Sequence, residues 1–438
     1  MKKVLWVCNI MLPVIAQELG FPYSNREGWL TGIFNALTAK KENREIELGI
    51  CFPIAAFSEH PSLQKGKPLM VQGVPCYAFA EDLAHPEVYD AGMEEDFKTI
   101  FADFQPDMIH VFGTEFPHAL AAVRVFENPD KTLIGIQGLC YEIAKVYMAG
   151  LPKKVCQSVT FRDIIRKDSL KQQQEKFIQR GEREKEVLRL AGHVTGRTGF
   201  DRKGVSTVNE KARYHSMNET MRNSFYSGAW NRESCEKHSI FLGQGDYPLK
   251  GFHFLLKALP LICKEFPDTK VYVAGNSIIN EKGLKAKIKL SAYGKYLLSL
   301  IRKYELKDKI VVLGKLTEQE MKEQFLRSSV FVCPSILENS PNTIGEAMLL
   351  GVPVAAAKVG GIPDMITHEE DGLLFEGGNA AELAKAVLRL FEDKKDESGC
   401  PLTQKLSQNA RKRAAKVHDG AQNYCRLMEI YEDICRKE

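Results

Sequence analysis

Residues 334–364 read PSILENSPNTIGEAMLLGVPVAAAKVGGIPD. The run that leads into them, VFVCPS at 330–335, carries almost no polar side chain, as expected of a strand covered on both faces. Pro341 stands where a helix can begin, because the first helical amides have no partner and proline lacks the hydrogen that would be left over. GVPVAA then returns to a strand, and Gly360-Gly361 to a turn. Strand, turn, helix, strand is the repeating unit of a parallel α/β sheet. Glu338 lies in the turn and Glu346 inside the helix, eight residues apart, on either side of a helix N-terminus. Such a terminus binds anions, and carboxylates accept strong hydrogen bonds from hydroxyls. Helix-dipole preference alone accounts for a single acid near an N-terminus. It does not account for two acids together with this strand, this helix start and this Gly-Gly turn.

The same alternation runs through the whole chain. Apolar strands are predicted at 4–9, 46–52, 108–113, 132–138 and 193–198, and a second series at 239–245, 270–276, 309–315, 330–335 and 353–358. The two series predict an α/β protein with two doubly wound domains. The predicted division is an N-terminal domain over 1–205, a connection over 206–235 and a C-terminal domain over 236–400. Helices over 401–438 are expected to pack back towards the first domain. Ligands of such sheets bind beyond the carboxyl ends of the strands, so the chemistry is expected in the turns that follow them.

Composition narrows the classes. With 438 residues and 44% hydrophobic content the chain suits two soluble domains, and a net charge of +4 is too small to indicate nucleic acid. The eleven cysteines form no C-x-x-C pair, and Cys8, Cys51 and Cys333 sit in apolar runs, so reduced thiols and a cytoplasmic location are expected. Two segments are basic: 282–304 has seven Lys/Arg and no acid, and 152–190 has eleven against six. Contact with an anionic membrane surface is one expectation for them. The apolar side of 282–304, with Leu284, Ile288, Tyr293, Tyr296, Leu297, Leu300 and Ile301, either enters a headgroup boundary or packs on the second sheet.

The block E338NSPNTIGE346, followed by AMLLGVPVAAAKVGGIPDMI and DGLLF, resembles the retaining glycosyltransferases of the two-Rossmann GT-B fold, family 4 (glycosyl transferases group 1). The resemblance extends through GQGDYPLKGFHFLLKALPLI, VYVAGN and VVLGKLTEQEM. It continues more loosely through KKVLWVCN, GWLTGIFNAL, PDMIHVFGTEFPHAL, IGIQGL and GRTGFDR. It points to bacterial enzymes of surface-polysaccharide synthesis. It implies that Glu346 holds the ribose of a nucleotide sugar, a UDP-sugar by expectation, and that Glu338 holds the hydroxyls of the transferred sugar. Backbone around Asn339, Ser340, Asn342 and Thr343 would cradle the diphosphate or sugar, and Lys250 would neutralise the leaving diphosphate. Lys315 and Leu316 would meet the base, and Gly28 would let the first helix approach the donor phosphate.

The chain departs from that family pattern in places. Gln244 and Gly245 stand where relatives have Arg and Leu. Arg197 either supplies the missing cation or forms an interdomain salt bridge. Pro341 replaces a common glycine, and Gln137 a common acceptor-side histidine, while Glu115 and His118 follow a strand end and are expected to face the acceptor. No Asp-x-Asp occurs, so neither a metal nor another cofactor is expected. The implied activity is metal-independent, retaining transfer of a sugar to a glycan or lipid-linked acceptor. A non-catalytic sugar-nucleotide-binding subunit and a hydrolysing nucleotide-sugar epimerase on the same fold are the alternatives.

Overall fold

The computed structural model describes residues 1–21, 28–39, 46–279 and 288–436. The chain forms two compact units, each built on its own sheet.

The first unit has β1 (Lys2–Val7), β2 (Ile46–Ile54), β3 (Leu69–Val71), β4 (Val74–Ala80), β5 (Met108–Phe112), β6 (Thr132–Gly135), β7 (His193–Gly196) and β8 (Arg213–Ser216). Their order is β3-β4-β2-β1-β5-β6-β7-β8, and all pairings are parallel except the β3–β4 hairpin. Alternate residues of β1 feed two cores: Val4 and Trp6 enter one, Leu5 and Val7 the other. That is the arrangement of a sheet with helices on both faces. One of those cores takes Leu427, Ile430, Tyr431 and Ile434 from the C-terminal helix Gly420–Arg436. Trp6 Nε1 donates to Tyr431 Oη at 2.8 Å, and Tyr431 Oη lies 2.7 Å from His110 Nδ1.

The second unit has β9 (Glu236–Leu242), β10 (Lys270–Ala274), β11 (Ile310–Gly314), β12 (Ser328–Cys333), β13 (Val354–Ala357) and β14 (Leu373–Phe375), ordered β11-β10-β9-β12-β13-β14. Every pairing in it is parallel. The chain winds outward from β9 in one direction and from β12 in the other, so the switch point lies between these two strands.

All ten predicted strands are present, and four more are found. The β3–β4 hairpin turns at Gln72 and Gly73, both at positive φ (50° and 75°), as a two-residue hairpin turn requires. β8 is a mostly polar edge strand and β14 has three residues, so neither carries a strong hydrophobic signal. The segment predicted as an irregular connection begins inside a helix, Gly199–Val208, started by a reciprocal Thr198–Asp201 capping box.

The unit boundaries differ from the predicted ones. The first unit consists of Met1–Ala144, Lys176–Arg222 and the chain from His418 onward. The second takes Lys145–Glu175 and Asn223–Val417. The helix Leu402–Val417 buries Leu406, Ala410 and Ala414, and it packs within the second unit. Only the helix after it joins the first.

The basic segment 282–304 resolves one earlier alternative. Tyr293, Leu297, Leu300 and Ile301 are buried in the second unit, where the helix Ala292–Lys303 packs beside Phe252–Glu265. They are therefore core residues and not membrane contacts. Leu284, Lys285 and Lys287 lie outside the described residues.

Candidate functional site

The switch point of the second sheet gathers the residues singled out in 334–364. After β9 the chain passes Gly243, Gln244 and Gly245 and makes a short turn, Pro248–Lys250, that ends at Gly251 with φ +69°. A Cβ at Gly251 would lie 1.8 Å from the Pro334 carbonyl oxygen, so only glycine lets this loop lie against the end of β12. Ile336 N donates to Leu249 O at 2.8 Å across the same approach. The contact brings Lys250 Nζ to 2.6 Å from Glu338 Oε1, which also accepts from Ser335 Oγ at 2.7 Å. Burial works against the Lys250 ammonium, but the Glu338 carboxylate and the Tyr247 hydroxyl outweigh it and hold its pKa above the ordinary value. Lys250 is charged at any physiological pH.

The Gly-Gly turn has a related role. Gly360 has φ +53°, and a Cβ there would lie 1.9 Å from Glu338 O, while Gly361 N donates to the same oxygen at 3.0 Å. The turn after β13 therefore clamps the backbone of Glu338. Glycine is needed at 360 for that close approach.

The helix that follows runs Asn342–Leu350, so Pro341 caps it and is not its first residue. Proline's fixed φ suits the extended cap geometry observed, φ −68° and ψ 122°. Asn339 and Ser340 are buried ahead of it, and Ser340 Oγ has no hydrogen-bond partner among the described residues. Asn342 and Thr343 are half-buried at the positive end of the helix. Glu346 is only 3% exposed, further along the same helix. Gln244 is half-buried and Gly245 buried at the end of β9. Asp246 beside them accepts from Asn276 Nδ2 at 2.8 Å, and its other carboxylate oxygen is buried and unpaired among the described residues. Lys315 is exposed and Leu316 half-buried just after β11. Thus Lys250, Glu338, Ser340 and the start of helix Asn342–Leu350 converge, and the β9 and β11 turns stand on the same edge of the sheet.

The first unit has its own strand-end groups. Gln137 Nε2 donates to Glu219 Oε1 at 3.1 Å, and the Arg197 guanidinium pairs with Glu219 Oε2 at 2.5 Å. Arg197 and Glu219 belong to one unit, so this pair is intradomain. These groups and His110 border a cavity of about 30 Å³, the space of one water, and His110 Nε2 is buried without a partner among the described residues. Burial holds the His110 pKa down at about 3. The ring is neutral.

His118 does not face an open acceptor site. It is fully buried on the first turn of helix Pro117–Phe126, with Nδ1 2.9 Å from Glu81 Oε2. Glu115 stands at the switch point of the first sheet, after β5, with Oε2 enclosed and unpaired among the described residues, and burial raises its pKa. Gly28 is the first residue of helix Gly28–Ala39.

Four partners escaped the sequence reading: Ser335, Glu81, Glu219 and Glu184. The first adjoins a motif. The other three become visible only once the chain folds, because each meets its partner over a long sequence separation. Glu184 is fully buried, accepts from Thr114 Oγ1 and from Tyr141 N at 3.1 Å, and burial lifts its carboxyl to about 8. Between its unfolded value near 4.5 and about 8, the folded state holds the extra proton, so stability falls as pH rises through that window. The variant Glu184→Gln, which cannot ionise, should lose less stability between pH 5 and pH 8 than the wild type. Urea midpoints at the two pH values measure the difference, and equal slopes would remove Glu184 as the cause.

The sequence pattern of Glycosyl transferases group 1 matches residues 226–413. Among curated proteins, the chain is 27% identical over 189 residues to the putative glycosyltransferase YtcC of Bacillus subtilis, covering 43% of each. It is 29% identical over 160 residues to a phosphatidyl-myo-inositol mannosyltransferase of Propionibacterium freudenreichii, covering 36% of this chain and 35% of the relative. The chain thus spans less than half the length of the curated relatives it matches. Over nearly the whole chain, the fold is that of sucrose-phosphate synthase from Thermosynechococcus elongatus (TM-score 0.68, 16% identity, 99% of both chains). The fold is also shared with Anabaena HepE, solved with UDP-glucose (TM-score 0.64, 14% identity, 99% of this chain and 100% of that one). The chain thus has the GT-B fold, and its residues 226–413 match the sequence pattern of glycosyl transferases group 1.

Proposed function

We propose that this protein transfers a sugar from a nucleotide diphosphate sugar to a glycan or lipid-linked acceptor, with retention of anomeric configuration, in the synthesis of a cell-surface glycan. The observation that carries the reading is the Lys250–Glu338 pair, 2.6 Å apart, at the switch point of the second sheet, beside the helix start that precedes buried Glu346. One cation, one helix dipole and two carboxylates match the charges and hydroxyls of a sugar nucleotide. A uridine nucleotide is the expected donor, in keeping with the UDP and UDP-glucose complexes of HepE.

In this reading Glu338 exchanges its hold on Lys250 for the hydroxyls of the donor sugar, and Lys250 turns to the diphosphate. Ser340 Oγ, buried and unpaired among the described residues, donates to a phosphate or sugar oxygen. The bond from the anomeric carbon to the diphosphate breaks, the acceptor hydroxyl bonds to that carbon on the same face, and its proton passes to the departing phosphate. Lys250 and the helix N-terminus meet the negative charge as it grows, which is the largest contribution a preorganised site can make. Glu346 fixes the ribose. The acceptor is expected on the side of Gln137, Glu115 and the Arg197–Glu219 pair.

The chain carries no Asp-x-Asp, and the transfer we propose is metal-independent. The test is a screen of UDP-, GDP- and ADP-sugars by thermal shift, followed by turnover with and without excess EDTA. A UDP-sugar should raise the melting temperature most, and EDTA should leave the rate unchanged. A strict divalent-ion requirement would overturn the metal-free part. Tight binding without turnover over a broad acceptor panel would favour a non-catalytic binding subunit.

A further inference from the structure

The helix Phe161–Arg166 in the second unit is turned inside out. Phe161, Ile164 and Ile165, spaced i, i+3, i+4, share one face and are 62%, 65% and 66% exposed, and Val159 just before them is 56% exposed. The inward residue is charged. Asp163 is 1% exposed, and its carboxylate accepts from Thr160 N at 3.0 Å, Ala292 N at 3.2 Å and Arg162 at 3.1 Å. A carboxylate held by backbone donors and a guanidinium is costly to expose or rearrange, so the helix is locked with its apolar side outward. Such a face on a soluble surface marks a contact site.

The charge around it selects the partner. Lys153, Lys154, Arg166, Lys167 and Lys171 are exposed, whereas the acids in the same stretch are Asp163, buried, and Asp168, half-buried and paired with Arg162. Across a groove of about 1030 Å³ the helix faces Ile288 and Lys289, which add a further exposed apolar and basic pair. From this locked apolar face ringed by cations we infer that the segment 153–171 docks the protein on an anionic lipid bilayer. The apolar side chains enter the headgroup boundary and the lysines and arginines meet anionic lipid. Docking through this face is peripheral, since a six-residue helix can enter the headgroup boundary but cannot span the bilayer. The inference does not depend on sugar transfer, because vesicle binding needs no donor.

The test is sedimentation of the full chain with phosphatidylcholine vesicles with and without phosphatidylglycerol. The wild type should partition onto the anionic vesicles and release by about tenfold or more as salt screens the charges. The triple variant Phe161→Ser, Ile164→Ser, Ile165→Ser should lose about tenfold or more in partitioning with an unchanged melting temperature, since none of the three is buried. Arg166→Glu with Lys167→Glu should weaken binding to anionic vesicles only. Equal partitioning of wild type and triple variant would overturn the inference, as would absence of binding to either vesicle. A dimer or a protein complex that the triple variant dissociates, with no vesicle binding, would assign the face to that partner instead.

Discussion

Replacing Lys250 with alanine should lower turnover by about two to three orders of magnitude, the loss expected when one preorganised group facing transition-state charge is removed. Donor affinity should fall much less, because the charge on the diphosphate grows as the glycosidic bond breaks and the interaction strengthens with it. Gln244, close to Lys250 in sequence, brings no charge that could take over. The resemblance gives an arginine to the position that Gln244 holds here, and Arg197 pairs with Glu219 in its own unit. The variant also leaves Glu338 without its cation in a part-buried site. Lys250→Met, which keeps most of the stem, separates loss of charge from loss of packing and should fall with alanine. Steady-state rates with a UDP-sugar, set against Kd for UDP, make the comparison. Turnover within a few-fold of wild type would remove Lys250 from the reaction, and an equal loss in rate and affinity would make it a ground-state binding residue.

What made Lys250 findable was local. It sits one residue before a glycine at a helix start, after an apolar strand, and those signals lie within one stretch of sequence. The same holds for Glu338 and Glu346, and for the ten strands whose apolar runs are continuous because helices cover both faces. What the sequence hid depends on distance. Lys250 meets Glu338 across 88 residues of sequence. Glu219 lies 82 residues beyond Gln137, and Glu81 lies 37 before His118. No periodicity links such pairs. His118 reads as an exposed strand-end residue because it follows a strand, but its helix turns it into the core against Glu81 and Phe79. The apolar side of 292–303 and the face at 161–165 show the same limit. Both segments are basic and amphipathic in sequence, yet one buries its apolar residues and the other displays them. The difference lies in Asp163, whose carboxylate binds the amide of Ala292 at the start of the buried helix.

Replacing Glu346 should weaken nucleotide binding by roughly 10- to 150-fold, the equivalent of about 1.5–3 kcal/mol for a hydrogen bond to a charged group. Glu346 is 3% exposed in helix Asn342–Leu350. Glutamine fills the same volume and is the variant of choice, with far-ultraviolet circular dichroism confirming that the helix is intact. If the carboxylate holds the ribose, UMP, UDP and a UDP-sugar should all lose the same factor, since all three carry it. Deoxyribose forms of UDP should bind the wild type about as weakly as UDP binds Glu346→Gln, and the variant should no longer distinguish ribose from deoxyribose. That last comparison is a double-mutant cycle across protein and ligand, and it isolates the pair from general damage to the site. A variant that still prefers ribose by the wild-type factor would place the ribose elsewhere and leave Glu346 as a buried acid of the helix.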